Sequence, residues 1–558
     1  MFSARARAAA LLALAAAGTA LAAAPSRPAQ PPIQAGDADA GRRIYMEGRL
    51  SSGAPLEGTA RGTERLAGQQ AACVSCHRRS GLGLVEGGMT SLPVTGDILY
   101  RPVWRGRPEM EMARTTGPNA RPAYTDESLA TALVSGAGAN GIALDPGMPR
   151  YAIPDADLRH LIAYLKTLSS KASPGADAST IRFATIVAGD VTPERRKALV
   201  DVMETFVREK NAGTRYEDRR RTRPPMDMEF EYIRYRDWIL DVWTVTGPPA
   251  SWRAQLDALY LKQPVFAVLS GVAEGPWAPI HEFCEATRLP CVFPTTDLPV
   301  VDATDFYTVY FTRGMTLEGE ALAAYSKSQP DDAPGRLVQV YREGRPGATA
   351  AAALARRALA EGRQAAGVAL PAGEAASPAF WERLAAAHPG ATLAVWLEAA
   401  DLADLASLGA VQPGPARLFL SSSLAPGGAG LVPAALRART RLVHPFEKPD
   451  QFDLRVQRTR TWLRSRKIAS PRDERTQVEA FFAVSIVNEA LMHNYNFFVR
   501  EYLLEQFERM IPSMVVTAYY PRMTLGAGQR FSSKGAYIVK PGDRPESPST
   551  AVSGWIVP

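Results

Sequence analysis

Between residues 180 and 541 short apolar runs alternate with longer amphipathic ones, and no other feature limits the fold as strongly. Ile181–Val187, Leu240–Thr246, Val265–Ser270, Cys291–Pro294 and Tyr307–Thr312 read as strands. So do Leu337–Arg342, Ala366–Leu370, Thr392–Leu397, Arg417–Ser421 and Arg441–Phe446. Helical periodicity fills most of the gaps, over Pro193–Lys210, Ser251–Lys262, Pro276–Thr287, Leu317–Ser328 and Ala348–Glu361. A helix between successive strands makes those strands parallel neighbours, with helices on both faces of the sheet. A stretch of about 360 residues exceeds what one core holds, so the expectation is two lobes. The whole chain of 558 residues is 46% hydrophobic and 22% charged, an ordinary globular balance. Its 4 Cys exclude a disulfide-built miniprotein. The net charge of +7 is too mild for a basic-groove nucleic-acid binder.

The N-terminus reads as an export signal over residues 1–24. Arg5 and Arg7 precede the apolar run Ala8 to Ala17, and Ala20-Leu21-Ala22 is a small-residue cleavage site, with Ala24 as the alternative. Beyond it no uncharged apolar run reaches the roughly 18 residues of a membrane span. The expectation is a periplasmic protein with no span after cleavage and no nucleic-acid partner.

Cys73-Val74-Ser75-Cys76-His77 is the one sharp motif. Two thiols three residues apart reach the two vinyl groups on one porphyrin edge, and the next residue sets an imidazole under the iron. A redox dithiol would want a βαβ context, and zinc a second Cys or His pair nearby; neither is present. The motif therefore assigns one covalent haem c, with Cys73 and Cys76 as attachment points and His77 as axial ligand. A single motif argues against a dihaem peroxidase.

The surrounding residues 36–170 resemble a class I cytochrome c domain. The resemblance rests on Gly41 and Tyr45 in an opening helix, and on a closing helix that starts at Pro154 and Asp155. Leu158, Leu161, Ile162, Leu165 and Leu168 recur in that helix at helical spacing, with Tyr164 as the aromatic at the crossing. It implies an all-α fold, with Met148 of Asp145-Pro146-Gly147-Met148-Pro149 as the second axial ligand. Met89, Met110 and Met112 precede the helix read over Asp126 to Ser135, too early in the order. The stretch around 87–122 is an insertion whose Arg101, Trp104, Arg105 and Arg107 either meet haem propionates or form a solvated basic loop. Arg78 and Arg79 are expected near the haem edge, where they would dock an acidic partner. His160 is expected on the solvent face and is not assigned to iron.

After a linker at 171–179, residues 180–541 resemble the type I periplasmic binding proteins, the branched-chain amino acid and amide receptors; a tail follows at 542–558. The resemblance is carried by Val265–Val272, Leu289–Thr296, Phe306–Arg313, the helix around Gln477–Met492 and Tyr519-Tyr520-Pro521. It implies a two-lobed α/β fold whose ligand lies where strand ends face the cleft. By that logic Ser270, Gly271, Thr295 and Thr296 face it from one lobe. Ser421, Ser422 and Ser423 face it from the other, with Tyr341 and Arg342. For each the alternative is turn or cap chemistry. The loop Ala188 to Pro193 lacks the Ser/Gly pattern of amino-acid receptors, so the ligand, amino-acid-like or amide-like, is not fixed. Tyr216 to Pro225, with Arg219, Arg220, Arg221 and Arg223, reads as a solvated insertion.

Cys284 and Cys291, on a helix and the next strand, are the only cysteines left to pair, as a disulfide or as two buried thiols. His281, His388, His444 and His493 form no cluster, and no catalytic triad or phosphate loop stands out. The reading is an electron carrier and ligand-binding protein rather than an enzyme, serving periplasmic redox partner proteins. Its rivals are a ligand-free docking scaffold for a periplasmic dehydrogenase, a haem sensor with an open sixth site, and a plain solute receptor.

Overall fold

The computed structural model describes residues 36–86, 89–102, 121–220, 236–301, 305–492, 494, 497–513, 518–545 and 547–558; side chains are described only to residue 84 before the first gap, resuming at 90, and to 213 before the gap at 221. The export signal, Trp104, Arg105, Arg107, Met110, Met112, Arg221, Arg223 and His493 lie outside the described residues, as do the side chains of Met89, Tyr216, Arg219 and Arg220.

The N-terminal unit is built on two crossing helices, α1 (Ala38–Glu47) and the closing helix Asp155–Thr167. Asp37 caps α1 by accepting from the N–H groups of Asp39 and Ala40, and Gly48 ends it at φ 61°. The crossing is close because Gly41 has no side chain: a Cβ there would stand 1.9 Å from the His160 carbonyl oxygen. Tyr45 and Tyr164 meet beside it with ring centroids 5.2 Å apart. Between these helices lie α2 (Val74–His77), α3 (Gly96–Leu99) and α4 (Asp126–Ser135); the closing helix is α5.

The unit is not all-helical. β1 (Glu57–Ala60) pairs antiparallel with β2 (Glu64–Ala67) and with β5 (Arg150–Ala152), and β3 (Leu84–Glu86) pairs with β4 (Met89–Ser91). The β1–β2 turn holds Arg61 at φ 48° and Gly62 at φ 79°, the conformation a tight hairpin requires. These strands are three or four residues long and half-exposed, so they carry no apolar alternation to announce them.

The rest of the chain forms two sheets. The first is parallel, in the order β11-β10-β8-β6-β7, with β9 (Val272–Ala273) also paired to β6. Its strands are β6 (Thr180–Ala188), β7 (Asp237–Val245), β8 (Ala267–Leu269), β10 (Cys291–Val292) and β11 (Thr308–Val309). Helices α6 (Pro193–Arg220), α7 (Trp252–Lys262) and α8 (Ala278–Ala286) connect them. Helix α9 (Gly314–Ser328) then carries the chain to the second sheet, ordered β13-β12-β14-β15-β16-β17-β18. There β12 (Leu337–Arg342), β13 (Ala365–Leu370), β14 (Thr392–Trp396), β15 (Arg417–Ser421) and β16 (Thr440–His444) are parallel. They are wound with α10 (Pro346–Ala360) and α11 (Pro378–Ala387).

The chain then returns to the first sheet. Helices α12 (Pro449–Ser465), α13 (Glu474–Met492) and α14 (Arg500–Met510) follow, and Phe481, Phe482, Val484 and Phe507 join Phe183, Phe266 and Phe293 in one core. Tyr310 next bridges to Phe531, and the antiparallel β17 (Tyr537–Lys540) and β18 (Thr550–Ala551) close the second sheet. The second sheet has its own cores, around Val338, Trp381, Leu393 and Leu418 on one face and Leu322, Ala350, Trp396 and Phe419 on the other. Among the described residues no helix is long and apolar enough to cross a membrane.

The segment read as a linker is tied at both ends. Ser170 donates its N–H to Asp97 (3.0 Å), and Ser173 donates its N–H to the Phe498 carbonyl (2.8 Å). The buried Arg500 reaches the carbonyls of Pro174 (3.1 Å) and Val265 (2.6 Å).

Candidate functional site

The Cys73–His77 segment forms one turn of helix, which sets Cys73 and Cys76 on the same side, three residues apart. Both are free thiols; Cys73 is buried and Cys76 half-buried. Burial pushes the Cys73 thiol up to about 12, with Tyr151 hydrogen-bonded beside it. The His77 imidazole is held through Nδ1, 2.8 Å from the Leu92 carbonyl oxygen. That carbonyl can only accept, so Nδ1 carries the proton and Nε2 is left with a free lone pair. Burial keeps the ring below its ordinary pKa, and so neutral and able to ligate. A metal-ligating histidine with its other nitrogen fixed by a backbone carbonyl is the arrangement a haem iron needs. The residues present therefore fit haem c.

Met148 is half-buried and packs on the same apolar cluster as Cys73, Val74, Leu129, Leu133 and Tyr151. Its loop is clamped. Arg150 donates to the carbonyls of Leu144 (2.9 Å), Asp145 (3.4 Å) and Met148, and the Arg61 N–H reaches the Pro146 carbonyl (2.7 Å). Among the other residues singled out in the insertion, Arg101 is described but Trp104, Arg105 and Arg107 are not. His160 is not free on a solvent face: its Nδ1 accepts the Asp37 N–H at 2.7 Å, at the start of α1.

Arg78 and Arg79 do not wait for an outside partner. Arg78 pairs with Glu508 of α14, which also holds Arg530 at 2.7 Å. Ser80 donates its N–H (2.8 Å) and its hydroxyl (2.6 Å) to Glu505 of the same helix. Arg79 lies over the Phe306 ring, 4.1 Å from its centroid, and Leu82 and Ile98 pack against Phe497, Val499 and Tyr502. For Arg78 the acid expected of a docking protein is supplied by this chain itself. Burial pushes the Glu505 carboxyl up to about 8.

The strand-end residues separate into two kinds. Ser421 accepts the Leu424 N–H (3.1 Å), Ser422 lies 3.0 Å from His444 Nδ1, and Thr296 accepts the Leu298 N–H (3.1 Å); these hydroxyls do turn and packing work. Arg342 is bound to Asp401, and the Tyr341 ring lies over Gly367 within the second sheet, away from the serines. Ser270 and Thr295 differ: both are buried, and neither hydroxyl has a partner. Ser270 stands at φ 54° and Gly271 at φ 136°, where a Cβ would press on Trp277 and on the Ile186 carbonyl. Cys284 and Cys291 are joined, with Cα atoms 6.1 Å apart. His281 bridges Asp305 (2.6 Å) and the Tyr310 hydroxyl (2.8 Å).

Sequence reasoning missed a half-buried polar cluster. Arg475 on α13 pairs with Asp297 (2.8 Å) and Glu479 (2.8 Å) and reaches the Tyr520 hydroxyl (3.1 Å). Within electrostatic reach of Asp297 and Arg475 stands Glu318 of α9, fully buried, with the Ser421 and Ser423 side chains beside it. A signal was present: Met315, Glu318 and Leu322 share one helical face, so an acid there points where apolar residues point.

The cytochrome c family model matches residues 64–169, and this segment is a cytochrome c domain. Among the curated proteins none matches the sequence. The α/β part is similar to solved substrate-binding proteins of ABC transporters. One from Aeropyrum pernix is 13% identical, with 68% of this chain and 96% of that chain covered and a TM-score of 0.49. A fatty acid transporter's substrate-binding protein from Thermomonospora curvata is 14% identical, covering 70% and 95%, at 0.48. A leucine binding protein from Thermotoga maritima is 12% identical, covering 68% and 99%, at 0.45. The chain is thus multidomain, a cytochrome c domain followed by an α/β fold with several sheets.

Proposed function

We propose that the protein is an exported monohaem c-type cytochrome that transfers electrons through a haem held by Cys73 and Cys76 and ligated by His77 and Met148. It is joined to a two-lobed, receptor-like unit for a small ligand. The observation that carries this reading is the His77 ring, half-buried and neutral, with Nδ1 committed to Leu92 and Nε2 free. When bound, the haem supplies one-electron chemistry, and a thioether ligand favours its ferrous form and raises its potential.

The chain's own part is positioning. Leu92 fixes the imidazole, Arg150 and Arg61 hold the Met148 loop, and the apolar cluster excludes water. The docked Arg78–Leu82 segment sets the haem-attachment turn against α14, so the two units meet next to the redox centre.

The test is the purified full chain, matured in a periplasm. One covalent haem per chain, a Met-to-iron charge-transfer band when oxidised and no carbon monoxide uptake when reduced support the reading. Absence of covalent haem overturns it, and ready carbon monoxide binding replaces it with the open-site sensor.

A second reading, a ligand-free docking scaffold for a periplasmic dehydrogenase, is favoured by the turn chemistry that occupies Ser421, Ser422 and Thr296. A thermal-shift screen with amino acids and amides separates the two. A ligand at 100 times its Kd adds about 2.7 kcal/mol to the receptor and nothing to the scaffold.

A further inference from the structure

Two acids of α14 are buried against the haem-attachment turn, and only one of them is held by cations. Glu508 pairs with both Arg78 and Arg530. Glu505 is 6% exposed and accepts from the Ser80 N–H (2.8 Å) and the Ser80 hydroxyl (2.6 Å), which are neutral donors. The other charged groups around it are engaged elsewhere: Arg79 lies over the Phe306 ring, and Glu501, one turn earlier on α14, accepts from the Tyr307 hydroxyl.

We propose that Glu505 is a redox-linked proton site, which takes up a proton when the chain is reduced and releases it on oxidation. The proposal rests on the haem reading above and goes beyond it, because a His/Met cytochrome transfers its electron without needing a proton. One electron from the redox partner and one proton from water enter together, and both leave on oxidation.

Three observations carry it. The first is place. Ser80 lies three residues beyond His77, and the chain between them is fixed: the Gly83 N–H reaches the His77 carbonyl (3.1 Å) and Tyr45 donates to the Arg78 carbonyl (2.7 Å). Ser80 and Leu82 are buried, so a change of charge at the His77 ligand is felt through protein rather than screened by water. The second is hydrogen-bond chemistry. A carboxylate only accepts, whereas a carboxylic acid also donates. The Ser80 hydroxyl does both, donating to Glu505 and accepting the Leu82 N–H at 3.1 Å. The site therefore has a partner for either form, and the proton comes and goes without breaking the contact. Glu508, between two arginines, is committed to its charged form. The third is electrostatic balance. Burial pushes the Glu505 carboxyl up to about 8; the Glu508 carboxylate adds to the rise, while the Ser80 donors and Arg78 oppose it. Tyr45 faces it from α1 as a neutral phenol, since burial raises that group well above its ordinary value. The positive charge that oxidation adds beyond His77 lowers the Glu505 value, and reduction restores it. The reduced protein thus keeps the proton through a pH range in which the oxidised protein has lost it.

The experiment measures the midpoint potential of the full-length holoprotein from about pH 5 to pH 9 in wild type, Glu505→Gln and Ser80→Ala. The wild-type potential should fall with rising pH over a range that ends near pH 8. A threefold difference in proton affinity between the two redox states gives a fall of about 28 mV, at 59 mV per tenfold for one electron. Glu505→Gln should lack this fall. Ser80→Ala, which removes a donor to the charged form, should move it to higher pH. In the unaltered protein the reduced-minus-oxidised infrared spectrum at neutral pH should show the carbonyl band of a protonated carboxylic acid, absent from Glu505→Gln. A wild-type potential that does not change with pH, or a fall that survives whole in Glu505→Gln, overturns the proposal and leaves the cytochrome reading standing. A fall that does not move in Ser80→Ala overturns it even where Glu505→Gln fails to fold. A matured protein without covalent haem removes both readings.

Discussion

The buried Glu318 makes a prediction about stability that needs no ligand. Its carboxyl titrates near 4.5 in the unfolded chain and is raised to about 7 by burial in the fold. As pH rises, the unfolded chain therefore loses this proton first. The folded state holds it longer, and stability falls between those two values. Integrating the difference from pH 5 to pH 8 gives a loss of about 2–3 kcal/mol from this one group. Glu318→Gln cannot titrate and should not suffer the loss. The amide has its own cost, about 1–3 kcal/mol for donors left unbonded, but that cost is the same at both pH values. The quantity to measure is the stability gap between variant and wild type, from urea unfolding at pH 5 and at pH 8 in constant salt. The gap should move in the variant's favour by about 2–3 kcal/mol on going to pH 8. Other titrating groups, Glu505 included, are common to both proteins and cancel. A gap that stays within about 1 kcal/mol of its pH 5 value would refute a carboxyl held protonated by burial at this position.

Gly41→Ala puts a methyl 1.9 Å from the His160 carbonyl oxygen, so the α1–α5 crossing must open; about 3 kcal/mol should be lost, seen as a lower melting temperature of the haem-bearing unit. Met148→Ala should abolish the Met-to-iron charge-transfer band, lower the potential and admit carbon monoxide; a variant that keeps the band means another residue is the ligand. Glu505→Ala strips the acceptor from the Ser80 N–H and hydroxyl, costing about 2 kcal/mol at the contact between the units. Trypsin should then cut faster at the exposed Lys171, and unchanged cleavage would show that Glu505 does not hold the units together.

The central strands of the two sheets, Thr392–Trp396 and Arg417–Ser421 among them, were legible because they are buried on both faces, and burial of that kind writes a continuous apolar run. Leu337–Arg342 and Arg417–Ser421 fall on the same residues in sequence and structure, and Thr392–Trp396 ends one residue early. The haem-attachment turn was legible for a different reason. Its chemistry needs thiols and an imidazole within five consecutive residues, so the whole constellation lies in one stretch of sequence. Glu318 had no such advantage. Its surroundings come from the loop at Asp297, the end of β15 and the start of α13, segments brought together only by the crossings between sheets.

Helix α14 shows how a contact between units defeats pattern reading. Arg500, Glu501, Glu505, Glu508 and Arg509 crowd its sequence, and a charge run of this kind ordinarily marks a solvated face. In the structure Arg500, Glu505 and Glu508 are buried, because the helix lies between the first sheet's core and the loop that follows His77. The same inversion explains Arg78 and Arg79. Read alone, two arginines beyond a haem motif look like a surface awaiting an acidic protein. Their partners are Glu508 and the Phe306 ring, more than two hundred residues away in the same chain. Arg78 does meet an acid, Arg79 meets an aromatic ring instead, and neither partner was in their neighbourhood to be read. What the contact implies for function is specific. The backbone between His77 and Leu82 is fixed by Tyr45, which donates to the Arg78 carbonyl (2.7 Å), and by Glu505, so a shift of α14 cannot leave the haem-attachment turn undisturbed.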